Sequence, residues 1–143
     1  MFGRREFGLL GLSAAAIAAL ESTGFGADAH VHDAGSDKCA DACSDCQRAC
    51  DSCAHHCAMM LAEGKKEHLM TLQTCQDCAD ICAAASQIVS RGGPFADLIC
   101  TGCADACARC GKECEQHAGD KHMTRCAEEC RKCETACREM LKK

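Results

Sequence analysis

The chain has 143 residues, a net charge of −5, 18 cysteines, one proline, four phenylalanines and neither tryptophan nor tyrosine. A length of this order holds one domain. The negative balance and the lack of any basic run argue against a nucleic-acid surface, and no stretch has the roughly 20 apolar residues that span a bilayer as a mature helix.

The first 29 residues read as a leader. Arg4-Arg5 and Phe7 precede a short apolar run of small residues, and Ala27-Asp28-Ala29 fits a small-x-small cleavage pattern. The paired arginines resemble a twin-arginine signal, although Gly3 and Gly8 stand where that motif more often has a polar residue and a leucine. An exported, periplasmic protein is therefore expected, with an uncleaved amphipathic N-terminal helix as the alternative. Export of the folded chain would bury or metallate its thiols before they met an oxidising compartment. Cleavage after Ala29 would leave His30-Val31-His32 at the new terminus, where a free amine and a histidine at position three could chelate Cu(II).

Residues 30–36 are polar and glycine-containing and are expected to be flexible. The domain then runs over residues 37–143. Asp37 is the expected N-cap of a first helix that ends at Gly64. A second helix runs from about 66 to 90 and stops at Arg91-Gly92-Gly93. Pro94 suits the first position of a third, ending near Gly119, and Asp120 caps a fourth that runs to about Leu141. Four helices of matched length, each about 35 Å long, joined by short connections, predict an all-α, up-down-up-down four-helix bundle.

The cysteines set its register. The first helix carries Cys39, Cys43, Cys46, Cys50, Cys53 and Cys57, in alternating steps of four and three. Cys75, Cys78 and Cys82 follow on the second; Cys100, Cys103, Cys107, Cys110 and Cys114 on the third; Cys126, Cys130, Cys133 and Cys137 on the fourth. This spacing puts all 18 on inward faces. The four segments look like diverged copies of one unit. Between residues 30 and 143, Leu, Ile, Val and Phe together number only eleven, so the thiols must also serve as a core, packing as small hydrophobes.

A core alone would not need reactive groups, which leaves disulfides or metal. Neighbouring cysteines on one helix have β-carbons about 5–6 Å apart, whereas a disulfide wants about 3.8 Å. Bridges between helices stay open, although so many exceed what a four-helix bundle needs. Zinc would take closed tetrahedral sets of four, usually in local knuckles. Iron–sulfur motifs place their cysteines in loops. Cu(I) accepts low coordination numbers and bridging thiolates, so four continuous thiol stripes favour it.

A cysteine-striped four-helix chain of this kind resembles the bacterial four-helix-bundle copper storage proteins. The resemblance covers about residues 37–141 and rests on repeated CxxxC pairs: Cys39/Cys43, Cys46/Cys50, Cys53/Cys57, Cys78/Cys82, Cys103/Cys107, Cys110/Cys114, Cys126/Cys130 and Cys133/Cys137. It implies an interior that holds several Cu(I) ions per chain on cysteine thiolates. The second helix departs from the pattern, with three cysteines only.

Extending each stripe beyond its last cysteine distinguishes the two ends. Met60, His68, His117 and Met123 fall at one end, with Met59, Met70 and His122 close by. Thioethers and imidazoles there would bind Cu(I) more weakly than the thiolates and pass it inward. His55 and His56 lie off the stripe and are expected to be solvated. Ile88, Val89, Phe95, Leu98, Ile99, Met140 and Leu141 gather at the other end, where they are expected to close the tube. No nucleophile beside a base is legible, so storage or buffering is expected and catalysis is not. The alternatives are a disulfide-stapled structural or interaction bundle, and a zinc or mixed-metal thiolate buffer. The charged outer faces are compatible with a monomer or a homo-oligomer, and nothing in the sequence identifies a copper donor or acceptor.

Overall fold

The computed structural model describes residues 33–142. The expected leader, with His30 and His32, lies outside the described residues. Four helices follow in chain order: α1 (Ala34–Ala62), α2 (Leu69–Ser90), α3 (Ala96–Cys114) and α4 (Lys121–Met140). No strand occurs among the described residues. α1 packs beside α2, α2 beside α3, α3 beside α4, and α4 back against α1, so α1/α3 and α2/α4 form the diagonals of the bundle. None of the described helices is long and apolar enough to cross a membrane.

The ends of the helices follow local chemistry. Gly64 takes φ 86°, and the N–H groups of Gly64 and Lys65 bond back to Leu61 and Met60 at 2.9 and 3.0 Å. Gly92 and Gly93 do the same to Val89 and Ile88, both at 3.0 Å. Each pair satisfies carbonyls that a helix end would leave orphaned. Asp120 caps α4 as expected, its carboxylate accepting from His122 N at 2.8 Å and Met123 N at 3.3 Å.

Three boundaries differ from the sequence expectation. α1 starts four residues early, with Asp33 at the cap position, so Asp37 lies in its first turn, where its charge suits the helix dipole. Residues 66–68 form a separate 3-10 turn before α2. Pro94 is in the turn before α3 and not in its first position: Ala96 N bonds Gly93 O at 3.1 Å, which puts proline's fixed φ at the second residue of a β-turn.

The core is built from small side chains. All 18 cysteines are at most 1 % exposed, and Ala40, Ala49, Ala54, Ala79, Ala104, Ala127 and Ala136 are buried beside them. The vacant cysteine positions on α2 are filled by Thr71, Ala85 and Val89, all buried. The expected apolar plug is only partial. Val89 is buried and Ile99 and Met140 pack against the core, but Phe95 and Leu98 are 65 % and 69 % exposed. Both sit where α3 begins, and their side chains point away from the bundle axis.

Candidate metal centre

The alternating steps of three and four keep each cysteine on its helix's inner face, and the four faces meet in one column of sulfur. All 18 are free thiols. The diagonal between α1 and α3 is bridged by four sulfur pairs: Cys39–Cys100 at 3.8 Å, Cys43–Cys103 at 3.9 Å, Cys46–Cys107 at 3.7 Å and Cys50–Cys110 at 3.8 Å. α4 joins through Cys43–Cys133 at 3.6 Å and Cys50–Cys126 at 3.7 Å. α2 joins through Cys82–Cys107 at 3.6 Å and Cys75–Cys114 at 3.7 Å. Within single helices, Cys46–Cys50 and Cys103–Cys107 stand at 3.9 and 4.0 Å.

The column contains overlapping sets of four sulfurs that lie within 4.8 Å of one another, among them Cys43/Cys103/Cys133/Cys137, Cys46/Cys78/Cys82/Cys107, Cys46/Cys50/Cys78/Cys130, Cys50/Cys110/Cys126/Cys130 and Cys53/Cys75/Cys114/Cys126. Cys46, Cys50, Cys78, Cys126 and Cys130 each belong to two of these sets. Such an interior resists carrying several bare thiolates. Neighbouring sulfurs, Cys107 first for Cys46 and Cys110 first for Cys50, together with burial, hold those thiols above their usual range. Burial pushes Cys57 up to about 11. A soft cation removes that penalty by replacing the protons, which couples metal uptake to proton release.

One end of the column is topped by imidazoles and thioethers. Met123 is fully buried, and the Cys53 thiol donates to its sulfur at 3.3 Å. His68 and His117 stack with centroids 4.4 Å apart. His68 is buried, and its Nδ1 has no hydrogen-bond partner among the described residues. Burial and then the nearby His117 hold His68 below its usual 6.5, which leaves the ring neutral and able to offer a lone pair. His117 is half-buried and its Nε2 lies 2.9 Å from the Thr71 hydroxyl. Met60 is half-buried, with Lys65 Nζ 3.2 Å from its sulfur.

The structure thus gathers the predicted cysteines into one column and puts His68, His117 and Met123 at one end of it. Met60 lies at the C-terminal end of α1, where the chain turns toward His68. Sequence reasoning missed His56. It was expected to be solvated, but it is half-buried, bonds Asp120 Oδ2 at 2.8 Å and stacks on His122 at 4.4 Å. Its ring also meets His68 edge-on at 6.3 Å. His55 is exposed, as expected.

Fold and site together define a metal-binding bundle whose interior is lined with thiols. The family profile described as copper storage protein matches residues 32–142, and the chain belongs to that family. A cytosolic copper storage protein from Streptomyces lividans, in a form with five coppers, superposes with a TM-score of 0.70 at 35 % identity, over 76 % of this chain and 93 % of that one. The Cu(I)-bound copper storage protein Csp3 of Bacillus subtilis gives 0.66 at 38 % identity, over 75 % and 98 %. An uncharacterized cysteine-rich protein of Bacillus subtilis, YhjQ, is 41 % identical over 87 residues, which are 59 % of this chain and 77 % of that protein.

The Streptomyces relative overturns the expected exported, periplasmic location. It is cytosolic, so this thiol-filled fold is not tied to export. The chemical argument for folded export also loses its force, because a reducing cytosol keeps thiols reduced without any such protection.

Proposed function

We propose that this chain stores several Cu(I) ions on the thiolates of its bundle interior, from Cys39 at one end to Cys57 at the other. The observation that carries this reading is the sharing of sulfurs between adjacent four-thiol sets. Isolated tetrahedral zinc sites need four ligands each and leave none to share. Cu(I) accepts two or three sulfurs and tolerates bridging thiolates, so a continuous column of shared sulfurs can be filled along its length. Repetition of one kind of site along the bundle favours capacity over turnover, and a storage role over catalysis.

Loading takes place through the end where Met60, His68, His117 and Met123 lie. Support comes from the unpartnered, buried Nδ1 of His68 and from the contact between Cys53 and Met123. Neutral imidazole and thioether ligands hold Cu(I) more loosely than thiolates, so an ion caught there moves down a gradient of affinity into the column. Each thiol that becomes a thiolate ligand releases one proton to solvent, whether it binds one ion or bridges two, and copper stays monovalent throughout.

Anaerobic titration of the reduced protein with Cu(I), against a competing chromophoric chelator, tests the store. Uptake of many ions per chain that collapses after thiol blocking supports it. Saturation near four ions, with zinc competing equally, would replace it by separate tetrahedral sites. For the loading end, joint replacement of Met60, His68, His117 and Met123 should slow uptake much more than it lowers capacity. Unchanged uptake kinetics would remove that end from the mechanism.

A further inference from the structure

The sulfur column finishes on a thioether at both ends of the bundle. Beside the histidines it is Met123, touched by Cys53. At the opposite end Cys100 Sγ lies 3.9 Å from Met140 Sδ. Cys100 is 3.8 Å from Cys39, and Cys39 is 3.7 Å from Cys137, so four sulfurs form a connected group. The three cysteines are fully buried. Met140 is half-buried and lines a surface groove of about 300 Å³ between the start of α1 and the end of α4, bordered by Ala34, Gly35, Lys38 and Glu139.

Apart from Met140, the large apolar side chains of that end do not line the groove. Phe95 and Leu98 face outward, and α2 contributes Ala85 and Val89 to the core beside α3. The ion pair between Lys38 and Glu139, 2.8 Å long and well exposed, crosses from α1 to α4 beside the groove. Exposed pairs of this kind are weak and open readily. Met140 therefore meets a buried thiol through its sulfur and also lines a solvent-facing groove.

We propose that Cys39, Cys100, Cys137 and Met140 form a second exchange site for Cu(I), through which the column passes copper to an external soft-ligand acceptor at the end opposite the histidines. The inference rests on the reading of the chain as a Cu(I) store. A neutral thioether holds Cu(I) more loosely than a thiolate does, so an ion that takes Met140 as one of its ligands is held less tightly than one ligated by thiolates alone. When an acceptor thiolate or thioether takes the ion, Cu–S bonds to Cys39, Cys100 or Cys137 break as new ones form to the acceptor. Each released thiolate recovers a proton from solvent, and no electron is transferred. Methionine also serves as a plain filler of cores, so the test must separate the sulfur from its volume.

Met140→Leu conserves volume and removes the ligand. With 13C-methyl-labelled methionine, the Met140 signal is identified by its loss in that variant. Stepwise anaerobic addition of Cu(I) to the wild-type protein should shift or broaden this signal as the column fills. Release from the loaded protein to excess chelator is then timed in a His68→Ala/His117→Ala background, which impairs the other end. Met140→Leu should slow that release several-fold, whereas Leu98→Ala, an exposed change at the same end, should leave it unaltered. A Met140 methyl that stays fixed to saturation, with release at the parental rate, would overturn the proposal and leave the store intact. A protein that takes up no copper at all would overturn both readings.

Discussion

Cys46 on α1 and Cys107 on α3 stand 3.7 Å apart across the diagonal of the bundle, between helices that are not neighbours. In an ordinary bundle, leucines would fill that space. Here the diagonal is closed by sulfur, and each sulfur is both packing atom and potential ligand. Cys107 also approaches Cys78 at 3.9 Å, Cys82 at 3.6 Å and Cys103 at 4.0 Å. Replacing it by alanine should cost about 1 kcal/mol through the small cavity. Serine should cost more, about 1–3 kcal/mol, by burying a hydroxyl with poor partners. Both should lower Cu(I) capacity. Thermal melts of the metal-free protein, paired with copper titrations, separate the packing role from the ligand role.

Cys57 supplies a test of the buried thiol environment. Burial pushes it up to about 11, so at pH 8 little thiolate exists to attack an electrophile. In the metal-free protein, alkylation at Cys57 followed by peptide mass mapping should keep accelerating well beyond the usual thiol value of 9.0 and level off only near pH 11. A plateau close to 9 would mean that the end of the column is wetter than the structure implies.

Asp120 ties together the cap of α4 and the histidine cluster. Its burial opposes ionisation, but the bond from His56 and the N–H groups of His122 and Met123 outweigh that and hold the carboxyl below its usual 3.8. The stability it contributes is therefore present above that value and is lost as pH falls through its lower folded value. Asp120→Ala should cost about 0.5–2 kcal/mol at neutral pH, roughly 4–8 °C in Tm per kcal/mol for a domain of this size. Asp120→Asn should keep part of the cap but flatten the acid limb of stability, as followed by denaturant unfolding between neutral pH and pH 3. An unchanged acid limb would show that other carboxylates govern it.

The contrast between Asp120 and His56 marks how much of the molecule was legible in the sequence. Helix number, inner faces and the glycine stops depend on spacing and local backbone preference, and Cys39 through Cys137 display them openly. Asp120 caps its own helix, so it too could be read locally. His56 could not: its partner is 64 positions away, and off-stripe position alone points to solvent. Phe95 and Leu98 misled for a related reason. Hydrophobicity puts them at the right end of the bundle but does not say that a turn at Pro94 leaves their side chains outside. The half-buried Met140, beside a surface groove, was hidden by the same assumption.

Gly111 reveals how closely α3 and α4 approach. It is buried within α3, and a Cβ added there would meet Cys130 Cβ and Arg131 Cζ, both at 3.3 Å. The arginine is itself held, donating to Glu115 at 2.8 Å and to the Ala108 carbonyl at 3.2 Å. Alanine at 111 gains about 1 kcal/mol in helix propensity but demands a shift of a few tenths of an ångström from Cys130, which carries a sulfur of the column. Valine adds two methyl groups that neither neighbour can accommodate without movement of the helices. Gly111→Val should therefore destabilise the metal-free protein by about 1–3 kcal/mol, and Gly111→Ala by much less. Because Cys130 belongs to two of the four-sulfur sets, the valine variant should also lose Cu(I) affinity in the middle of a competitive titration, before capacity is reached. A valine variant with wild-type Tm and an unaltered titration would show that α3 and α4 have slack at this contact.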